Sequence, residues 1–151
     1  MNVFVTGGLG FLGSHVVRRL LHDNHNVTLY DRKASSFDNR YRYVQGDLLD
    51  VQTLDTAMSR AKPDLVIHLA ALADVRNALK QPRDQVQSNF MLTAHVLEAM
   101  RETRVPRLVF TSSAVVYGDS LNSPITERST CFPQQTSIYG AMKLASESLI
   151  A

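Results

Sequence analysis

The sequence predicts an α/β fold built around a parallel sheet. Apolar runs of four to seven residues alternate with segments of helical periodicity, a pattern typical of strands buried on both faces and joined by crossover helices. The 151 residues, 44% hydrophobic and 20% charged, are enough to bury the core of one domain. We therefore expect one doubly wound domain over residues 1–151.

Five apolar segments are the candidate strands, and helical periodicity marks the segments between them. The strands are predicted at residues 2–6, 26–30, 42–44, 65–69 and 107–111. Two helices each show one apolar stripe suited to packing on a sheet. The stripes are Leu12, Val16 and Leu20 in the first helix and Val51, Leu54 and Met58 in the second.

A longer helix is expected over about residues 84–103, followed later by a long polar loop. One face of the helix carries Phe90, Ala94 and Leu97, and further apolar residues suggest that a second side is also covered. That cover is either the core or a second copy of the chain. Residues 118–136, about 19 in number, are polar and contain two prolines, which is typical of a functional loop or lid.

Composition excludes several functional classes. No apolar run reaches the roughly 18 residues that span a bilayer, and a net charge of +2 is too small to indicate nucleic acid. The single cysteine, Cys131, cannot form an internal disulfide, so we expect a cytoplasmic protein with an ordinary thiol. The five histidines show no metal-ligand spacing, and we expect no metal site, with His68 packed in the core. The basic residues within 31–43 form either a solvated loop or a phosphate-contacting patch.

The segment TGGLGFLG, residues 6–13, lies between the first predicted strand and the first predicted helix. Such a turn places backbone N–H groups and the positive end of a helix dipole at one point, where a pyrophosphate can bind. Glycine permits the backbone to approach the phosphate closely and to adopt positive φ. Two registers remain open locally: Gly8, Gly10 and Gly13, or Gly7, Gly10 and Gly13.

Asp31 ends the second predicted strand, 18 residues after Gly13. A carboxylate at this place can accept hydrogen bonds from both hydroxyls of an adenosine ribose and repels a 2′-phosphate, which favours NAD over NADP. The alternatives are a plain strand-end turn residue and, because Arg32 is adjacent, some tolerance for NADP.

Later motifs decide the register through a family resemblance. They are GDLLD at 46–50, HLAALADV at 68–75, SNFMLT at 88–93, VFTSSAVVYGD at 109–119 and SIYGAMKLASE at 137–147. With the glycine segment, they resemble the extended short-chain dehydrogenase/reductase family, in its nucleotide-sugar epimerase and dehydratase branch. The match covers essentially the whole chain. It implies a Rossmann-type fold and the Gly7, Gly10, Gly13 register.

The resemblance also implies NAD as cofactor and assigns contacts by position. Phe11 and Leu12 would present the pyrophosphate-binding backbone, and Asp31 would hold the adenosine ribose. The other implied contacts are Asp47 and Leu48 at the adenine, Leu69, Ala70, Ala71 and Ala73 after the fourth strand, and Asn89 near the nicotinamide end. Without the family, residues 69–71 would be interpreted as strand-end packing and Asn89 as a polar group on a helix surface.

Ser113, Tyr139 and Lys143 are the candidate catalytic residues. Tyr139 and Lys143 are four residues apart, so on a helix they share a face and the ammonium can favour the phenolate, bringing the tyrosine pKa toward neutrality. In the family resembled, the serine orients the substrate hydroxyl, the tyrosine exchanges the proton, and the lysine binds the nicotinamide ribose and tunes the tyrosine. Ser112 is a second serine candidate, and Tyr117 is interpreted as structural, with substrate contact as the alternative.

The residues after Ser113 separate the reactions of this branch. Dehydratases resemble one another in having acidic residues there, whereas this chain has Ala114, Val115 and Val116, which disfavours dehydration. SSAVVYGD instead resembles the UDP-glucose 4-epimerase group, whose substrates are UDP-hexoses and in which NAD is reduced and reoxidised in each cycle.

Family members are about twice as long as this chain and add a C-terminal lobe that binds the nucleotide sugar. The resemblance therefore implies that the chain is the cofactor-binding part, without the substrate-binding lobe. It also implies a homodimer that pairs the helices holding Asn89 and Tyr139. Two other readings remain open, namely a redox-sensing module without catalysis and a sugar-nucleotide reductase that consumes NADP.

Overall fold

The computed structural model describes residues 1–34, 40–73, 80, 82–118, 124–129 and 137–151. Within these residues, five parallel strands form one sheet in the order β3-β2-β1-β4-β5. The strands are β1 (Asn2–Thr6), β2 (Asn26–Asp31), β3 (Arg42–Gln45), β4 (Leu65–His68) and β5 (Leu108–Phe110). All five predicted strands are confirmed, each end to within one residue. The α/β fold of Rossmann type is also confirmed.

β1 is the central strand and the point at which the strand order reverses. It pairs with β2 on one side and β4 on the other, so that Thr6 lies beside both Tyr30 and His68. The glycine turn, Asp31 and Leu69 therefore all lie at one edge of the sheet, where the carboxyl ends of β1, β2 and β4 meet. Open α/β sheets bind their ligands outside the carboxyl ends of the strands at such a reversal.

The described chain divides into two compact units. The sheet unit comprises residues 1–71 and 95–111, and the helical unit comprises residues 72–94 and 112–151. All five strands belong to the sheet unit. Its core includes a cluster of buried aliphatic side chains from β1, β2, β4 and the first helix: Val3, Val5, Val17, Val27, Leu29 and Ile67.

Two helices of the sheet unit confirm the predicted periodicity with one correction. α1 (Phe11–His22) buries Gly13 and Val17, whereas Leu12 is 51% exposed, so the predicted stripe was wrong at its first position. The cause is the packing of Gly13 on the preceding turn, which rotates Leu12 toward solvent. α2 (Val51–Ala61) buries Leu54, Ala57 and Met58, and only its first residue departs from the predicted stripe.

The long predicted helix is present but is not uniformly α-helical. It comprises α3 (Pro82–Gln85), a π-helical turn (Val86–Met91) and α4 (Leu92–Thr103), and so begins two residues earlier than predicted. Leu92, Val96 and Ala99 are buried, whereas Phe90, Ala94 and Leu97 are half-buried. Both predicted faces are thus at least partly covered, and the face formed by Leu92, Val96 and Ala99 is the more buried.

The helical unit also contains a 3₁₀ helix (Ala114–Tyr117) and α5 (Ile138–Ile150). α5 begins at Ile138 because Ser137 caps it: its Oγ accepts a hydrogen bond from the Gly140 N–H at 3.0 Å. Most of the loop predicted at 118–136 lies outside the described residues, and so does Cys131.

Candidate functional site

Backbone geometry requires glycine at two positions of the turn between β1 and α1. Gly7 has a φ of +71°, and a Cβ there would lie 2.6 Å from the backbone nitrogen of Ala70. A Cβ at Gly13 would lie 2.3 Å from the carbonyl oxygen of Gly7. Because both neighbours are backbone atoms, neither position accepts a larger residue without distorting the turn.

Gly7 and Gly8 differ in the reason for which each is a glycine. A Cβ at Gly8 would meet side-chain atoms of Leu29, the nearest at 2.7 Å, and these can repack. Gly7 instead combines positive φ with backbone contact. The geometry therefore favours the Gly7, Gly10, Gly13 register, and Gly8 is a supporting residue of the turn.

The start of α1 is open and uncapped. Gly10 is the N-cap residue, no side chain caps the helix, and the first turn contains no acidic residue. A Cβ at Gly10 would meet only the Gly7 carbonyl oxygen, at 3.2 Å, and Phe11 beside it is 87% exposed. The first N–H groups of a helix have no acceptor within the helix, and the helix dipole favours an anion there. These features fit a pyrophosphate.

Asp31 is buried at the end of β2, with 8% of its surface exposed. One carboxylate oxygen accepts a hydrogen bond from the Leu9 N–H and the other from the Lys33 N–H, each at 3.0 Å. A carboxylate oxygen has two lone pairs, so both retain capacity for ribose hydroxyls. Asp31 also ties the glycine turn to β2, a role that sequence reasoning missed.

Two side chains hold the loop at Asp47 and Leu48 through its carbonyl groups. The Tyr30 hydroxyl donates to the carbonyl oxygen of Asp47 at 3.0 Å, and His95 Nδ1 lies 2.9 Å from that of Leu48. Asp47 itself is exposed and Leu48 is buried. Sequence reasoning missed both supports. Gly46 was the available signal, because a Cβ there would lie 2.3 Å from the Tyr30 hydroxyl oxygen.

A buried polar pair, Thr6 and His68, supports the backbone that follows β4. Thr6 Oγ1 lies 2.6 Å from His68 Nδ1 and accepts a longer hydrogen bond from the Ala70 N–H, at 3.4 Å. The His68 ring is 1% exposed and stacks on Phe110 at a centroid distance of 5.9 Å. His68 is therefore a packed residue, as the sequence predicted. Leu69 and Ala70 are half-buried and Ala71 is exposed.

In the helical unit, Asn89 lies in the π-helical turn and is 2% exposed. Its amide is hydrogen-bonded to the backbone of Leu72 and to the side chain of Gln85. The alternative reading of Asn89 as a helix-surface group was therefore wrong. Ala73, the last predicted contact after β4, is exposed.

The structure brings Ser113, Tyr139 and Lys143 together within the helical unit. Tyr139 and Lys143 share one face of α5, both are buried, and Lys143 Nζ lies 5.9 Å from the centre of the Tyr139 ring. Ser113 caps the 3₁₀ helix, and its side chain lies near enough to Tyr139 to favour the phenolate and so to lower the tyrosine pKa. This arrangement can orient a hydroxyl and exchange its proton.

Burial affects the proton affinities of both α5 residues. It raises the pKa of Tyr139, and the side chain of Ser113 opposes this by less. It also lowers the pKa of Lys143 to about 8. The expectation that Lys143 brings the tyrosine pKa toward neutrality is thus wrong for this structure, because desolvation disfavours the charged forms of both groups.

The remaining candidates are Ser112, Tyr117 and the basic residues within 31–43. Ser112 is exposed, which favours Ser113, and Tyr117 is half-buried at the end of the 3₁₀ helix. In the basic stretch, Arg32, Lys33, Arg40 and Arg42 are all exposed.

Among the described residues, no group of three or more His, Cys, Asp or Glu could hold a metal ion. In that same part of the chain, no helix is both long and apolar enough to cross a membrane.

Comparison with known proteins decides the family. The model of the NAD dependent epimerase/dehydratase family matches residues 3–151. The chain belongs to this family. The expected resemblance is thereby confirmed, and so is the NAD-dependent nature of the family.

The relatives of this epimerase/dehydratase domain are about twice its length. The UDP-glucose 4-epimerase of Halalkalibacterium halodurans is 36% identical over an alignment of 152 positions that covers 99% of this chain and 45% of that protein. The chain thus spans about half the length of the curated relatives it matches.

Solved structures of epimerases share the fold. The UDP-glucose-4-epimerase of Stenotrophomonas maltophila, with bound NAD and formylated UDP-arabinopyranose, matches with a TM-score of 0.88 and 33% identity, covering 99% of this chain and 47% of that one. The UDP-glucose 4-epimerase of Bifidobacterium longum, in complex with NAD+ and UDP, matches with a TM-score of 0.92 and 28% identity, covering 99% and 48%. Both matches span the sheet unit and the helical unit.

Proposed function

We propose that this chain is the cofactor-binding part of an NAD-dependent nucleotide-sugar epimerase of the UDP-glucose 4-epimerase type. The observation that carries the proposal is the trio in the helical unit, where the side chain of Ser113 lies beside a buried Tyr139 and Lys143 lies over the tyrosine ring. Membership of the family and the epimerase relatives support it. The substrate class is a UDP-hexose.

The residues of the sheet unit fit the adenosine and pyrophosphate portion of NAD. The uncapped start of α1 at Gly10 suits a pyrophosphate, and buried Asp31 suits the ribose hydroxyls. Asp47 and Leu48 are proposed at the adenine. Leu69, Ala70, Ala71 and Ala73, which follow β4, are proposed as further contacts of the cofactor. The ammonium of Lys143 is proposed to bind the nicotinamide ribose, and Asn89 is proposed to fix the backbone near the nicotinamide end. When bound, NAD supplies an acceptor and donor of hydride for C4 of the sugar.

Tyr139 is proposed to exchange the proton of the sugar 4-hydroxyl while Ser113 orients that hydroxyl. Its raised pKa makes the phenol its resting form, suited to returning a proton to the C4 oxygen. Taking the proton requires the phenolate, which the side chain of Ser113 favours by lowering the pKa of Tyr139. Lys143 stays mostly protonated below its pKa of about 8.

The 3₁₀ helix after Ser113 favours epimerisation over dehydration. The side chains of its first three residues, Ala114, Val115 and Val116, cannot donate or accept a proton, and the side chain that caps its start is the Ser113 hydroxyl. Loss of water from a sugar needs an acid and a base near the leaving hydroxyl. This segment supplies neither.

The test is interconversion of UDP-glucose and UDP-galactose by the full-length natural protein supplied with NAD. Product should form without net consumption of the cofactor. Absence of any epimerisation in the full-length protein would rule the assignment out. A redox-sensing module has no need for the trio, so retention of its function in Tyr139→Phe would support that alternative.

A second candidate is a sugar-nucleotide reductase that uses NADP. Exposed Arg32 and Lys33 next to Asp31 favour it, because cations beside the ribose can accommodate a 2′-phosphate. Tighter binding of NADP than of NAD, together with stoichiometric oxidation of NADPH by a keto sugar nucleotide, would establish this reading.

We also propose that the full-length protein is a cytoplasmic homodimer that pairs the helices holding Asn89 and Tyr139. Val86 on the π-helical turn and Leu149 on α5 are exposed apolar residues, which an interface would cover. Light scattering of the full-length protein tests the dimer, and Leu149→Glu should shift it toward the monomer.

A further inference from the structure

Two side-chain amides are buried one helical turn apart in the helical unit. Gln85 is 1% exposed and Asn89 is 2% exposed. Removing an amide from water is unfavourable unless its donors and acceptors find partners. The partners of Asn89 connect these residues to the backbone that follows β4.

The side-chain amide of Asn89 is hydrogen-bonded to both backbone groups of Leu72, its N–H and its carbonyl oxygen. Its Oδ1 accepts a hydrogen bond from the Leu72 N–H at 3.0 Å, and its Nδ2 donates to the Leu72 carbonyl oxygen at 3.4 Å. Rotating the amide by half a turn would place its donor against the Leu72 N–H and its acceptor against the Leu72 carbonyl. The Leu72 backbone therefore selects one amide orientation.

Gln85 completes this arrangement. Its Oε1 accepts a hydrogen bond from Asn89 Nδ2 at 2.9 Å, shorter than the bond from the same nitrogen to Leu72. Nδ2 carries two hydrogens, so Gln85 and Leu72 can each receive one. Without the Gln85 acceptor, one buried donor of Asn89 would lose its partner, and the amide would be free to turn away from Leu72.

The π-helical turn holds Asn89 by its backbone as well. Thr93, 1% exposed, donates from Oγ1 to the Asn89 carbonyl oxygen at 2.9 Å. α5, which carries Tyr139 and Lys143, packs against the same turn. π-Turns within helices are frequent at functional sites because they displace a residue from the regular helical path.

We propose that Gln85 is a positioning residue that acts through Asn89 to fix the backbone at Leu72. Leu72 lies between Ala71 and Ala73, two of the proposed cofactor contacts, so the consequence for NAD binding rests on the proposed function. The hydrogen-bond relay from Gln85 through Asn89 to Leu72 stands without it. None of the motifs that identify the family includes Gln85.

The test compares three variants of the full-length natural protein. Gln85→Met keeps the length of the side chain and removes the acceptor, whereas Gln85→Glu keeps an acceptor. Gln87→Met makes the glutamine-to-methionine change at an exposed residue of the π-helical turn. Amide hydrogen exchange at Leu72, followed by NMR, is the first measurement. Exchange should be about tenfold faster or more in Gln85→Met and unchanged in Gln85→Glu and Gln87→Met, since loss of one hydrogen bond is worth about a factor of ten.

If Gln85→Met fails to fold, Gln85→Asn takes its place, because it keeps a buried amide but is one methylene too short to reach Asn89. Faster exchange at Leu72 is expected for it too. Unchanged Leu72 exchange in a folded Gln85→Met or Gln85→Asn protein overturns the relay.

The second measurement is the dissociation constant for NAD. It should rise about tenfold in Gln85→Met, and the effect should vanish when Asn89→Leu is already present, because Gln85 acts only through Asn89. A purely structural Gln85 would instead weaken binding equally in both backgrounds, which overturns the proposal. Failure of the proposed function shows as absent epimerisation with the Leu72 effect intact, so the two failures are distinguishable.

Discussion

The sheet unit and the helical unit position their candidate functional groups by different physical means. In the sheet unit these groups are mostly backbone, exposed by the absence of side chains at Gly7, Gly10 and Gly13. In the helical unit they are side chains, and burial of Tyr139 and Lys143 alters their affinity for protons. A backbone site depends on strand register and close approach, whereas a side-chain site depends on desolvation.

The difference predicts two kinds of mutational damage. Substitutions in the glycine turn should reduce stability and cofactor binding together, because the same backbone contacts support both. Substitutions at Ser113 and Tyr139 should alter chemistry and pH dependence with little loss of cofactor binding. Four predictions test this contrast.

Tyr139→Phe should have the largest effect, on the chemistry of the helical unit. Removing the hydroxyl that is proposed to exchange the proton should lower kcat of the full-length protein roughly 10³-fold, as expected for loss of a general acid–base group. NAD affinity and the melting temperature should change little. Tyr117→Phe is the matched control in the same unit and should retain most of the activity. Equal losses in the two variants would contradict the assignment.

Gly7→Ala should have the largest effect on the stability of the sheet unit. Positive φ and contact with the Ala70 backbone should together lower the free energy of unfolding by about 3 kcal/mol. Gly8→Ala should lower it by only about 1 kcal/mol, because the Leu29 side chain can repack. Urea denaturation measures both. A loss at Gly8 as large as that at Gly7 would count against the favoured register.

Asp31→Asn should weaken NAD binding roughly tenfold, since hydrogen bonds to a charged acceptor contribute about 1.5–3 kcal/mol each and the amide retains part of them. Discrimination against NADP should fall as well, because the repulsive charge is removed. Calorimetric titration with both nucleotides measures these changes. Asp23→Asn, at the exposed end of α1, is the control and should leave both affinities unchanged.

Lys143→Met should change the pH dependence of stability. The folded state holds Lys143 with a pKa of about 8, against an ordinary value of 10.5, so the unfolded state binds more protons between these values. Stability of the natural protein should therefore rise from pH 8 to 10, by at most about 1.4 kcal/mol per pH unit.

The rise should be smaller in Lys143→Met, and denaturation at pH 7, 8, 9 and 10 measures it. The window ends near pH 10 because the raised pKa values of Tyr139 and Tyr30, the latter about 12, act in the opposite direction above it. Identical profiles for the two proteins would show that burial does not perturb Lys143.

The predictions made from the sequence succeeded where local pattern sets the structure. All five strands and the two short crossover helices follow from apolar periodicity, because a strand buried on both faces needs a continuous apolar run. The glycine turn was predicted from its place between a strand and a helix, and the family resemblance selected Gly7 within it. Four-residue spacing also placed Tyr139 and Lys143 on one face of a helix.

The predictions failed where long-range packing sets the structure. Nothing in the local pattern indicates the π-helical turn or the burial of Asn89 and Gln85, because their hydrogen-bond partners include Leu72, distant in the chain. Tyr30 and His95, which support the loop at Asp47 and Leu48, were missed for the same reason.

The sequence alone determined the α/β class, the order of the elements, the glycine turn and the family, because these depend on periodicity, on residues with special backbone freedom and on ordered motifs. Only the tertiary structure decided why the backbone requires glycine at position 7, how deeply Asn89 is buried and in which direction burial shifts the pKa values of Tyr139 and Lys143. Contact with distant backbone and exclusion of water are properties of the folded chain, and no local window of residues contains them.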